Sequence, residues 1–158
     1  MAEINLERAK EVFQTICDAF DAKELKYQTD AEKLVLQCGF QGEDLPISIT
    51  MRVEPKLEVV SFFSKIPFSV AEDNRIAVAA AITMANSFLK SGCFDFDLSS
   101  GNIYYRVANS YRDCVVGKEM FIQMLAISYG AIENYNDKFM LLANGTISLE
   151  KFYEAIKK

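Results

Sequence analysis

The chain has 158 residues, of which 51% are hydrophobic, so it has the length of a single domain and the apolar content for a full core. Lys and Arg total 17 against 22 Asp and Glu, a net charge of −5; such a chain is poorly suited to nucleic acid, which is held by cations that displace phosphate counterions. Three Pro and seven Gly, with no low-complexity run, exclude a long flexible linker or a disordered chain.

Met1 to Lys10 is polar and lacks the apolar core of a signal peptide. It reads as the start of a helix near residues 5–22, with Asn5 as N-cap and Leu6, Ala9, Phe13, Ile16, Cys17 and Phe20 on one apolar stripe. Strands follow. Leu34, Leu36, Cys38 and Phe40 alternate along the first, and Ile47, Ile49, Met51 and Val53 along the second, with Ser48, Thr50 and Arg52 between them. Glu54-Pro55-Lys56 reads as a turn, since Pro cannot serve a central strand. A third strand from Leu57 to Ile66 carries Val59 and Phe63 on one side and Val60 and Phe62 on the other, which predicts a central or doubly covered strand.

After Pro67, Ser69 and Glu72 have the spacing of a capping box for a helix with its body from Glu72 to Ser91, and Gly92 fits its C′ stop. Only Thr83 is polar between Ile76 and Ala85, so this helix needs cover on more than one side. The run is about half of the ~20 residues a membrane span needs. A soluble cytoplasmic protein with no membrane contact is therefore expected. Phe94-Asp95-Phe96-Asp97-Leu98 and Ile103-Tyr104-Tyr105-Arg106-Val107 fold as a hairpin centred between Ser100 and Gly101. That register sets Phe94 against Val107, Phe96 against Tyr105 and Leu98 against Ile103, with Asp95 meeting Arg106 and Asp97 meeting Tyr104 on the other face.

A long helix after Gly117 carries the stripe Phe121, Leu125, Ser128, Ile132, Tyr135, Phe139 and Leu142, and Asn144-Gly145 ends it. Ser148 caps a last short helix to Ile156. The order α-β-β-β-α-β-β-α plus that short helix predicts an α+β fold, one antiparallel five-stranded sheet packed with helices.

The strand ending Lys65-Ile66-Pro67 before an Ala-rich helix, Asn86 and Gly92 followed by Phe94-Asp95-Phe96-Asp97, and Gly101-Asn102-Ile103-Tyr104-Tyr105-Arg106 together resemble the YbjN domain family, whose fold is similar to that of type III secretion chaperones. The resemblance covers residues 5–143 of a single domain 1–158, leaving 144–158 as a C-terminal helical extension. It implies a dimer-forming α/β sandwich with a chaperone-like or regulatory adaptor role, and it supplies no catalytic residues.

Chemistry points the same way. The chain has no His, the commonest general base, and it lacks both a nucleophile-elbow glycine motif and a P-loop. Cys17, Cys38, Cys93 and Cys114 include no C-x-x-C pair, so they read as four buried, reduced thiols with no metal site and no cofactor. Asp95 and Asp97 alternate with Phe and read as the wet face of a hairpin. Asn144-Gly145-Thr146 is formally a glycosylation sequon and reads as a helix stop.

Two surfaces are candidates for binding. Arg52, Tyr104 and Arg106, with Ser48 and Thr50, share the polar face of the sheet and form a candidate partner-binding surface, because Tyr and Arg are enriched at hot spots. Val60, Phe62, Ile76, Val78 and Ile82 form a candidate homodimer interface, because the Ala-rich helix permits close approach. The function expected is a non-enzymatic protein-binding adaptor or chaperone-like domain, a homodimer that receives a protein or peptide partner. The alternative is a small-molecule-binding regulatory domain with its pocket between the sheet and the long helix.

Overall fold

A computed structural model describes residues 5–157; the readings made on Met1 to Ile4 and on Lys158 lie outside the described residues. The elements are α1 (Leu6–Ala22), β1 (Gln28–Asp30), β2 (Val35–Gln41), β3 (Pro46–Glu54), β4 (Val59–Ser69), α2 (Arg75–Phe88), β5 (Cys93–Asp97), β6 (Asn102–Ser110), α3 (Lys118–Ala143) and α4 (Leu149–Ile156). The strands pair antiparallel in one sheet of six, in the order β1-β2-β3-β4-β6-β5. The α+β class is as expected, and the sheet has one strand more than the pattern predicted. The extra strand is β1, whose Gln28-Thr29-Asp30 offers no apolar alternation; only its ladder to β2 makes it a strand.

One face of the sheet is buried under the helices. Ile47, Ile49, Met51 and Val53 of β3 point there with Val60, Phe62 and Ile66 of β4 and Ile103, Tyr105 and Val107 of β6. α1 lays Val12, Phe13, Ile16 and Phe20 against them, and every member of the stripe predicted for α3, Phe121 to Leu142, is buried. Phe94 on β5 is the hub of an aromatic cluster, edge-on to Tyr105, Tyr135 and Phe139 at centroid distances of 5.2, 5.5 and 5.0 Å. Phe152 of α4 stacks on Phe139 at 5.3 Å, so the C-terminal helix belongs to the same core. The expected caps form: Arg8 N donates to Asn5 Oδ1 at 2.9 Å, and Lys151 N donates to Ser148 Oγ at 3.2 Å.

Several local expectations are corrected. β4 runs through Pro67 to Ser69, because the β4–β6 register breaks between Lys65 and Ser69 and Pro67 falls in that irregularity, where no ladder bond is required of it. Ser69 therefore caps no helix; its Oγ donates to Asn102 Oδ1 at 2.6 Å. A 3-10 turn, Glu72–Asn74, follows, and α2 starts only at Arg75 and stops at Phe88. Gly92 is not its C′ residue. It lies in the next loop at φ +71°, where any Cβ would collide with the Tyr105 hydroxyl.

The hairpin is shifted by two residues from the predicted register: Phe94 faces Tyr105, Phe96 faces Ile103, Asp95 faces Tyr104 and Cys93 faces Arg106. A shift of two keeps every side chain on its predicted face, because the strand period is two. Its cause is the turn. The Asp97 carboxylate accepts from Ser99 N at 2.9 Å and from the hydroxyls of Ser99 and Ser100 at 2.6 Å each, while Gly101 N donates to Asp97 O at 2.7 Å. These bonds close the strands at Asp97 and Asn102 and leave Leu98 exposed in the loop. Arg75 fastens the same loop to α2, with Nη1 donating to Leu98 O and Ser99 O at 2.9 Å each.

Candidate partner-binding surface

Period-two alternation puts the other half of each strand on the opposite face, and among the described residues no helix packs there. The residues of that face line up in rows. One row crosses the whole sheet as Gln28, Gln37, Thr50, Phe63, Arg106 and Cys93. Beside it run Asp30, Val35, Arg52, Ser61 and Ala108 on one side, and Lys65, Tyr104 and Asp95 on the other. Ser48, Thr50, Arg52, Tyr104 and Arg106 thus share one face, as the alternation predicted. Phe63 sits half-buried in the middle, and Thr50 is covered by its neighbours, with Gln37 Nε2 donating to its Oγ1 at 3.3 Å. Arg52 and Arg106 stand one row and two strands apart, roughly 12 Å between backbones from strand spacing and rise.

The two arginines differ in their electrostatics. Arg106 Nε lies 2.9 Å from Asp95 Oδ2 and Nη2 lies 3.3 Å from Oδ1, a diagonal fork across the hairpin that raises the guanidinium pKa. Its Nη2 also approaches Cys93 Sγ at 3.5 Å; burial and then Asp95 raise the Cys93 thiol, against the pull of Arg106. Among the described residues Arg52 has no carboxylate partner. At the hairpin tip the Ser100 and Ser99 hydroxyls hold Asp97 well below the usual carboxylate range.

The other predicted surface is mostly interior. Val60, Phe62, Val78 and Ile82 are buried in the core of the single chain, Val60 and Phe62 on the helix-covered face of β4. Ile76 alone of the five projects outward, 74% exposed, on the outer side of α2 with Thr83. The cysteines also divide: Cys17 and Cys38 are buried, Cys93 half-buried and Cys114 exposed, so the expectation of four buried thiols fails for the last two. Burial pushes the Cys38 thiol up to about 12. Among the described residues no group of three or more His, Cys, Asp or Glu is placed to hold a metal ion, and no helix is long and apolar enough to cross a membrane.

Two concavities are notable, the first where a pocket is expected from the sequence, between the sheet and the long helix, and the second at a place the sequence does not indicate. One, of about 370 Å³, lies between α3 and β2 and has Leu25, Phe40, Ile122 and Tyr129 in its walls. The other, of about 770 Å³, opens at the end of the sheet between Leu6, Lys33 and the segment 52–56. The signal for the second was misleading: Leu6 belongs to the apolar stripe of α1 by spacing, yet it is 48% exposed.

A one-sided antiparallel sheet backed by helices is the α+β fold that this chain shares with YbjN and with chains of two complexes, one of them a chaperone–effector complex. The structure of YbjN from E. coli has a TM-score of 0.58 at 13% identity, covering 85% of this chain and 92% of that one. A chain of the ExsC–ExsE complex has a TM-score of 0.58 at 13% identity over 82% of this chain and 93% of its own. A chain of the HopA1–SchA chaperone–effector complex has 0.57 at 9% identity over 85% and 99%. At these identities the likeness is one of fold. No family model matches the sequence, and no curated protein matches it.

Proposed function

We propose that this chain is a non-enzymatic, chaperone-like adaptor that receives an extended or partly folded protein segment on the open face of its sheet. The observation that carries the reading is that uncovered face, where Phe63 lies half-buried between Thr50 and Arg106. Tyr104 adds an aromatic platform and Arg106 a planar cation that Asp95 holds in place. The fold it shares with a chain of a chaperone–effector complex supports the same reading. In the cytoplasm the free thiols of Cys17, Cys38, Cys93 and Cys114 are in their ordinary state.

The test is to recover partners at native expression levels and to measure their affinity for the wild type and for Arg106→Ala. The variant removes an exposed ion pair worth about 0–1 kcal/mol, so it leaves the fold intact while affinity falls. If Arg106→Ala binds every recovered partner as the wild type does, the sheet face is merely solvated and this mechanism is dropped.

A second reading, a small-molecule-binding regulatory domain, is favoured by the apolar cleft beside Phe40 and Tyr129, whose rings meet edge-on at 5.6 Å. A thermal shift produced by an apolar ligand, and abolished by Ile122→Glu, supports that reading in place of the first.

A further inference from the structure

The second concavity lies where three parts of the chain meet at one end of the sheet. Leu6 opens α1, Lys33 stands in the β1–β2 turn, and residues 52–56 lead out of β3 into the β3–β4 turn. Its walls are apolar at Leu6, Val53 and Pro55, and its volume of about 770 Å³ falls in the range of formed binding sites.

The charge around it runs against the rest of the molecule. The chain as a whole carries −5, yet among the described residues the cavity is lined by Lys33, Arg52 and Lys56 against one carboxylate, that of Glu54. Lys33 is held by Asp30 at 2.9 Å, whereas among the described residues Arg52 and Lys56 have no carboxylate partner. Unpaired cations beside an apolar floor suit a ligand that carries both carboxylates and an apolar group.

The cavity is also continuous with the open sheet face. Lys33 and Arg52 border it and also border a polar groove of about 290 Å³ that runs along Gln28, Asp30 and Gln37, with the Asp30 carboxylate paired to Lys33. An extended chain lying in that groove passes over Arg52 and enters the apolar pocket. Both turns that frame the entrance are held in shape. Leu34 and Glu58 have φ of +54° and +53°, Leu34 O accepts from Val53 N at 3.0 Å, and Glu58 O accepts from Tyr111 N at 2.8 Å.

We infer that this end of the sheet is the anchoring site for an acidic peptide segment, one that sets an apolar side chain between Leu6 and Pro55 with flanking carboxylates on Arg52 and Lys56. The inference rests on the reading of this chain as a protein-binding domain and specifies the chemistry of the segment it binds. A fused phosphate backbone fits poorly, since it brings nothing to fill the apolar floor and meets Glu54 at the rim.

The experiment is fluorescence anisotropy of the full chain with three labelled extended peptides: one with Leu residues flanked by Glu, one with the same Leu flanked by Lys, and one with the Glu kept and the Leu replaced by Ser. The expected result is that the first binds at least about tenfold more tightly than either other, and weakens as salt shortens the reach of the charges. Arg52→Glu combined with Lys56→Glu is expected to lower that affinity by about tenfold or more, with an unchanged melting temperature because both side chains are at the surface. Arg106→Ala, on the remote part of the same face, is expected to lower that affinity by less than the double reversal does. Binding of the acidic peptide that Arg106→Ala lowers and the double charge reversal does not overturns this site and leaves the adaptor reading standing. Failure of all three peptides overturns this site, while the adaptor reading stands or falls on the recovered partners. Conversion of a dimer to a monomer by the double reversal, seen in light scattering, shows that a second copy fills the cavity and overturns the assignment to a peptide.

Discussion

The Asn86 side chain pairs with the backbone of Phe94 as a neighbouring strand would: Phe94 N donates to its Oδ1 at 2.8 Å, and its Nδ2 donates to Phe94 O at 2.9 Å. β5 is the last strand of the sheet, so these groups otherwise face outward as a template for another chain. A carboxamide at the end of α2 thus blunts the edge at its centre and ties the helix to the hub of the core.

Asn86→Ala leaves a partly buried N–H and C=O without partners, at a cost of about 1–3 kcal/mol. Chemical denaturation is expected to show that loss. Light scattering is expected to show concentration-dependent association through the freed edge of β5. A variant as stable as the wild type sinks this account of the edge.

Phe94→Ala is expected to cost about 3–5 kcal/mol, the range for truncating a buried Phe, since Phe94 is 2% exposed and touches three rings. Phe96, two residues on, lies on the same face but only partly buried, so Phe96→Ala costs clearly less. Equal losses for the two in urea titrations contradict the placement of the hub at Phe94.

Asp97 ties down the hairpin tip, and its folded-state pKa is depressed by the hydroxyls of Ser100 and Ser99. A depressed carboxyl contributes stability above its unfolded value of about 3.9, and that contribution is lost as pH falls through the folded value. The wild-type melting temperature therefore drops more steeply than that of Asp97→Asn between about pH 5 and pH 3. Parallel curves for the two proteins refute the role given to the carboxylate.

Thiol reactivity follows burial. Cys114 is exposed and Cys93 half-buried with a raised pKa, whereas Cys38 is buried with its thiol pushed up to about 12. Attack requires thiolate, so the native protein consumes a thiol reagent first at Cys114, then slowly at Cys93, and at Cys17 and Cys38 only on unfolding. Mass spectrometry of the labelled peptides gives the order directly.

The expectation of a homodimer now rests on the outer side of α2. Ile76 is 74% exposed there, on an Ala-rich helix that allows close approach. Light scattering is expected to give a dimer at micromolar concentration that Ile76→Glu converts to a monomer without lowering the melting temperature. A strict monomer of 17.8 kDa for the wild type defeats the expectation.

The hydrophobic period by itself determined where α1, α3, β2 and β3 lie and which face of α3 and of β3 turns inward. The α3 stripe, the alternation of β3 and the caps at Asn5 and Ser148 all lie where local chemistry puts them, because a side chain's direction depends only on backbone period. The Asp95–Arg106 pair was legible for the same reason and survived a two-residue slip in register. What local chemistry leaves open was decided by the tertiary structure. β1 has no pattern of its own and exists because β2 offers it a ladder. Ser69 and Gly92 look like helix punctuation, yet one bonds Asn102 and the other makes room for the Tyr105 hydroxyl. Leu6 and Ile76 have the same apolar character as the core residues around them, and only the arrangement of neighbours leaves them exposed. The cavity at the sheet end draws Leu6, Lys33 and Lys56 from separate elements, and no spacing in a sequence encodes a meeting of that kind.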